Sequence, residues 1–128
     1  MLKLLAIALG GALGSLLRYA VFLLVQRPAG PEFPLGTLAA NLAGCLLIGF
    51  LWSSFEGTRL ASEWRLFIFT GFLGGFTTFS TFARETVQLY ESGEWKNALL
   101  YLSLSNVLGL GLVAAGYALA KKAALFAR

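Results

Sequence analysis

The chain has 128 residues, 58% of them hydrophobic and 12% charged, with a formal net charge of +4. Soluble domains carry about 25% charged residues, so this is the composition of a membrane protein. There is no histidine and no aspartate, which excludes a His-ligated metal centre, an imidazole proton shuttle and a Ser-His-Asp triad. Cys45 is the only cysteine, so no intrachain disulfide can form, and in an apolar helix it reads as a small packing residue. The basic residues stand at the ends of apolar segments and form no stripe, which argues against a nucleic-acid partner.

A membrane-spanning helix needs about 20 mostly apolar residues, and four stretches qualify. The first covers residues 4–25, with Arg18 as its only charge. Lys3 ahead of an apolar run has the look of a signal peptide. No clear small-residue cleavage site follows, however, and the segment is read as a helix. A charge inside a span costs about 3 kcal/mol on insertion scales and usually faces a pathway or a partner. Arg18 therefore either snorkels to an interface or acts as a cationic lure for an anion. Gly14, one turn earlier, is expected to leave the arginine room to bend across the helix. Pro28, Gly30, Pro31 and Pro34 then mark a turn.

The second span, residues 35–55, is uncharged and carries Thr37 and Asn41 on one face. A side-chain amide has two donor hydrogens and an acceptor. Asn41 can make an interhelical hydrogen bond or donate to a dehydrated anion.

The third span, residues 66–90, is interrupted near its middle by Gly74-Gly75-Phe76-Thr77-Thr78-Phe79-Ser80-Thr81-Phe82. Each helical glycine costs about 1 kcal/mol relative to alanine. Non-helical backbone at membrane depth survives only where it is buried in protein or lines a cavity, and such breaks commonly bind ions. The freed carbonyls suit a hard cation such as Na⁺, and the lack of a carboxylate within the break argues against a divalent ion. Phe79 and Phe82 share a helix face beside the hydroxyls of Ser80 and Thr81. Phenyl rings at such positions usually face lipid or core, yet their electropositive edges can also attract an anion. Glu85, a turn further on, pairs with a cation or a hydroxyl near the pore end, or is simply solvated.

The fourth span, residues 97–120, is uncharged. Tyr101, Ser105 and Asn106 could add a thin polar lane to the interior, and Lys121 and Lys122 read as an interface anchor. Four spans place both termini on one side with Lys3, Arg59, Arg65, Lys121, Lys122 and Arg128, opposite Arg18, Arg27, Arg84 and Lys96. This weak bias permits insertion in both orientations. Gly10/Gly14, Ala40/Gly44 and Gly71/Gly75 have the spacing of close helix contacts. Some of these faces are expected to pack between subunits, because one copy is too small to work alone.

The strings Gly14-Ser15-Leu16-Leu17-Arg18-Tyr19, Gly36-Thr37-Leu38-Ala39-Ala40-Asn41-Leu42-Ala43-Gly44 and Gly71-Phe72-Leu73-Gly74-Gly75-Phe76-Thr77-Thr78-Phe79-Ser80-Thr81-Phe82 resemble the Fluc (CrcB-type) fluoride channel family. The resemblance extends over the whole chain. It implies an all-α membrane protein of four transmembrane helices, the third broken, assembled as an antiparallel, dual-topology homodimer. Two fluoride pores would run along the dimer interface. Asn41, Phe79, Phe82, Ser80, Thr81, Tyr101 and Ser105 match pore positions, and Arg18 matches the vestibule arginine. Glu85 and Thr37 match supports at the pore end. The carbonyls of Gly74 and Thr77 match those that hold a structural Na⁺ on the two-fold axis. Gly109 departs from the hydroxyl often found further along the fourth helix. The implied role is passive, fluoride-selective export across the bacterial inner membrane, relieving fluoride toxicity without enzyme chemistry. The implied partners are fluoride, membrane lipid and a second copy of the chain.

Two rival classes remain open at this level. A small proton-coupled multidrug-type exporter wants an acidic residue in the membrane, and only Glu85, at a segment end, is available. A non-transporting membrane scaffold would leave the Phe/Asn constellation without a purpose.

Overall fold

The structure, a computed structural model, describes residues 1–126; Arg128, counted above among the terminal-side cations, lies outside them. Helix α1 (Leu2–Ala29) is followed by α2 (Leu35–Phe55). The third run comprises the short α3 (Ser62–Arg65), a π-helical stretch (Leu66–Leu73), α4 (Gly74–Phe76) and α5 (Phe79–Glu91). A long α6 (Trp95–Phe126) completes the fold. By length and composition, the four runs Leu2–Ala29, Leu35–Phe55, Ser62–Glu91 and Trp95–Phe126 can each cross a membrane.

α1 and α6 run on beyond the spans 4–25 and 97–120 that hydropathy sets. At the end of α6, Ala-Lys-Lys-Ala-Ala-Leu contains only strong helix formers, so leaving the apolar layer does not end the helix. Pro28, expected in the turn, lies in the last turn of α1. It forfeits one backbone bond there, and the Gln26 side chain ties the segment down instead. Gln26 Nε2 donates to the carbonyl of Phe33 at 3.0 Å, and the Gly36 N–H donates to Gln26 Oε1 at 2.9 Å. The chain turns at Gly30, whose φ of 81° favours glycine.

α2 packs chiefly along α6, and α1 along the π-helical stretch. Both contacts are made backbone to backbone. A Cβ on Gly14 would overlap the Phe72 carbonyl oxygen, and one on Gly71 would fall 2.7 Å from the Ile7 carbonyl oxygen. On the other pair, a Cβ on Gly49 would overlap the Val113 carbonyl oxygen, and one on Gly116 that of Leu46. Two sequence expectations are corrected here. Gly14 does not make room for Arg18; it is spent on the contact with Phe72. The small-residue pairs are likewise used within one chain. Gly10 and Gly71 meet at the α1–π contact, Gly75 of α4 lies against Gly11 of α1, Gly44 abuts the Thr77 side chain, and Ala40 is fully buried. These faces close the chain on itself.

The core at the α2, α5 and α6 crossing is built from Leu38, Phe82 and Tyr101, with Phe33, Leu42, Leu89 and Leu104 packed against it. At the far end an aromatic girdle forms. Phe69 meets Trp52 edge-on with centroids 5.2 Å apart, and the Arg65 guanidinium lies 5.7 Å from the Trp52 ring centroid. Such amphipathic rings beside cations suit a membrane interface. Tyr117 OH donates to Glu56, fastening α6 to the α2–α3 connection, while Lys121 Nζ lies 4.8 Å from the Tyr117 ring centroid.

Backbone-to-backbone contact leaves no room for a methyl group. Gly14→Ala and Gly49→Ala should therefore each destabilise the fold by about 1–3 kcal/mol, the usual cost of overpacking. Gly111, with open space where its Cβ would go, is the control, and Gly111→Ala should be neutral or stabilise by up to about 1 kcal/mol. Thermal unfolding in detergent micelles reads the difference. Equal melting temperatures for the three variants would refute the close-contact reading.

Candidate functional site

The site is organised around Thr77 and Thr78, which lie between α4 and α5. Thr77 (φ −94°, ψ 157°) and Thr78 (φ −149°, ψ 115°) are both extended. Asn41, on α2, meets this pair with its whole amide. The Thr78 N–H donates to Asn41 Oδ1 at 2.8 Å, and Asn41 Nδ2 donates to the Thr78 carbonyl oxygen at 3.0 Å. Thr78 then caps α5, its Oγ1 accepting from the Thr81 N–H at 3.2 Å and donating to Thr81 Oγ1 at 3.0 Å.

These bonds redirect two backbone donors. In a continuous helix the Thr78 N–H would serve the Gly74 carbonyl, and the Thr81 N–H that of Thr77. Here the first goes to Asn41 and the second to the Thr78 hydroxyl. The Gly74 and Thr77 carbonyls are thus left without their helical donors. Gly74 is exposed, with nothing nearer than 3.9 Å to where a Cβ would sit. Carbonyl oxygens of this kind are the ligand type that hard monovalent cations take. Among the described residues no group of three or more His, Cys, Asp or Glu side chains is placed to hold a metal ion.

Two cavities flank the extended pair. The first, about 380 Å³, is lined by Asn41, Gly74, Thr77, Thr78, Phe79, Phe82, Ser105 and Asn106, among others. Its polar groups are neutral. Ser105 Oγ is buried with no hydrogen-bond partner, whereas Asn106 Nδ2 donates to the Leu102 carbonyl at 2.7 Å. Phe82 is buried, while Phe79 is 78% exposed and stands out from the chain with its centroid 5.6 Å from that of Phe82. Cys45 also lines this cavity.

The second cavity, about 240 Å³, lies on the other side of Thr78 and is charged. Arg18, Thr37, Thr81, Arg84 and Glu85 line it, with Ser15 and Tyr19. Glu85 is held from two sides, by Thr37 Oγ1 donating to Oε1 at 2.9 Å and Tyr101 OH donating to Oε2 at 2.8 Å. Tyr101 is completely buried, edge-on to Phe82 at 5.1 Å between centroids. It therefore joins the two cavities from behind without lining either.

Of the residues expected at a pore, Asn41, Phe79, Phe82 and Ser105 share the first cavity with Gly74 and Thr77. Arg18, Thr37, Thr81 and Glu85 share the second. Ser80 lines neither; it is exposed, with its hydroxyl 3.4 Å from that of Thr78. Sequence reasoning did not single out Thr78, the one residue common to both cavities, or Gln26. Thr78 is anonymous within a run of hydroxyls, and only the three-dimensional meeting with Asn41 distinguishes it. In the sequence Arg84 is only one more charge at the end of the third span.

Residues 5–117 match the family described as CrcB-like protein, Camphor Resistance (CrcB). The chain is 56% identical over 117 residues to the fluoride-specific ion channel FluC of Desulfotalea psychrophila, covering 91% of both chains. It is 46% identical over 121 residues to the protein of that name from Parabacteroides distasonis, covering 94% of both. For the one from Salinibacter ruber the identity is 51% over 116 residues, covering 91% of this chain and 87% of the relative. With identities of this size along nearly its whole length, the chain belongs to the CrcB-like family.

Proposed function

We propose that the protein is a fluoride-selective channel that passes F⁻ passively through the membrane. The observation that carries this reading is the first cavity, where a buried hydroxyl with no partner among the described residues, Ser105, shares the lining with the Asn41 amide and the Phe79 and Phe82 rings. Asn41 has spent one of its two amide hydrogens on Thr78, and the other is free for an anion. Neutral donors and electropositive ring edges suit a small anion that gives up its water in stages. Among the described residues no cationic side chain lines this cavity to trap the ion. The relatives' shared name, fluoride-specific ion channel, agrees with that chemistry. No bond is made or broken, and the protein is not an enzyme.

Arg18 draws the anion into the second cavity, and Thr78 and Thr81 mark the boundary with the neutral one. Phe79, Ser80 and Asn106 are exposed on the chain surface. Polar groups facing lipid at membrane depth are costly, and a second copy, inserted antiparallel, covers them and encloses two such paths. Gly74 and Thr77 carbonyls from both copies would hold Na⁺ at the centre of the dimer. The ion would supply a fixed charge that gathers carbonyls from two chains. In a bacterial inner membrane the negative interior favours anion exit by about 2.3 kcal/mol per 100 mV, so the channel relieves fluoride toxicity. The exporter alternative finds no support in Glu85, whose two oxygens are occupied by Thr37 and Tyr101.

Proteoliposomes loaded with KF and opened to potassium flow by valinomycin should release fluoride rapidly, and KCl-loaded controls should release little chloride. Absence of fluoride release from folded protein would refute the reading. Asn41→Asp removes the donor and adds a charge, which at about 4 Å and an effective dielectric constant of about 20 opposes an anion by about 4 kcal/mol. Fluoride flux should accordingly fall by two or more orders of magnitude, while flux undiminished in this variant would remove Asn41 from the path. The cation is tested separately by exchanging Na⁺ for N-methyl-D-glucamine. Size-exclusion chromatography should then show the dimer dissociating, with recovery on adding Na⁺ but not Mg²⁺, and a dimer indifferent to the exchange would count against the site.

A further inference from the structure

Arg84 stands where two cavities of opposite charge adjoin. The inner one, described above, is lined by Arg18, Arg84 and Glu85. The outer one, about 370 Å³, is lined by the carboxylates of Glu32, Glu85 and Glu94, and among the described residues Arg84 is the only cation lining it. Only 12% of the Glu85 side chain is exposed, and its two oxygens are pinned by hydroxyls. The Arg84 guanidinium lies 3.8 Å from Glu85 Oε1 and is steadied from behind by donating to Gln88 Oε1 at 3.0 Å.

A fixed carboxylate beside an anion's route repels the anion, and low-dielectric walls focus that field into the route. Without Arg84 the inner cavity would hold one guanidinium against one carboxylate, and the outer cavity would hold carboxylates alone. We propose that Arg84 is a conduction-determining residue: its guanidinium offsets Glu85 and the acidic outer lining, keeping the inner cavity attractive to a small monovalent anion. This rests on the fluoride reading and adds to it a second cation with a distinct task. Arg18 attracts, and Arg84 cancels. Because the Arg84 side chain is 66% exposed, its effect is open to screening by salt, which makes it separable from a structural role.

The test uses the full chain in liposomes of zwitterionic lipid, so that lipid charge adds no field of its own. Initial fluoride efflux is measured for the wild type, Arg84→Gln, Arg84→Met and Arg84→Lys. An impermeant salt sets the ionic strength to about 0.01 M or about 1 M, giving screening lengths of about 30 Å and about 3 Å. The two neutral variants should be about tenfold slower than wild type at low ionic strength, the lower end of charge-focusing effects. At high ionic strength they should approach it, and Arg84→Lys should follow wild type at both. Neutral variants that match wild type at low ionic strength would overturn the proposal. So would a deficit that salt does not change, or one that lysine does not rescue, since either means that Arg84 acts through its bond to Gln88. A wild type that releases no fluoride overturns the channel reading itself, an outcome distinct from the others.

Discussion

Much of this molecule depends on one side-chain amide gripping one residue's backbone. Asn41 accepts from the Thr78 N–H and donates to the Thr78 carbonyl, so it satisfies in lipid the two groups that an extended residue would otherwise leave bare. An unmet backbone group in hydrocarbon costs several kcal/mol, and the amide meets that cost at both groups of Thr78. Three features follow from that grip. The Gly74 and Thr77 carbonyls lose their helical donors, α5 starts afresh with a Thr78 cap, and Phe79 and Phe82 are set at the angle at which one is buried and the other stands clear.

The glycine contacts make this geometry rigid. α1 lies so close to the π-helical stretch, and α2 so close to α6, that no side-chain layer separates their backbones. A contact of this type has little freedom to slide, and between α2 and the extended pair Gly44 abuts the Thr77 side chain beside the Asn41–Thr78 bonds. The π-helical stretch (Leu66–Leu73) belongs to the same arrangement, since its Phe67 and Phe72 carbonyls are the groups that Gly10 and Gly14 admit.

Some of this was legible in the sequence. Four apolar runs follow from composition, and the Gly-Gly and hydroxyl cluster marks the segment where the backbone becomes extended. Asn41 announces itself as an amide in an uncharged span. The sequence pattern does not say how its donors are divided, because both interhelical bonding and anion binding call for the same residue. Nor does it say what the glycine pairs touch. Small-xxx-small spacing specifies a close neighbour without specifying whose, and here the neighbour is the same chain. Pro28 reads as a turn because proline usually breaks a helix. The compensating Gln26 bonds span 7 and 10 residues, beyond the reach of local rules. The π-helical stretch left no recognised mark at all.

The distribution of charge has its own logic. Among the described residues, cations border the second cavity, at Arg18 and Arg84, and none lines the first. A conducting path must bind its ion well enough to admit it and weakly enough to release it. A guanidinium in the dehydrated part would meet the first demand and fail the second. On the proposed reading, neutral hydroxyls, an amide hydrogen and ring edges attract a small anion step by step without holding it, and fluoride, as the smallest halide, gains most from close approach to such donors. Glu85 fits the same scheme. Its carboxylate locks Thr37 and Tyr101 in place and, through Tyr101, supports the Phe82 ring. On the proposed reading this carboxylate stands near an anion's route, and the Arg84 guanidinium, 3.8 Å away, is placed to offset it.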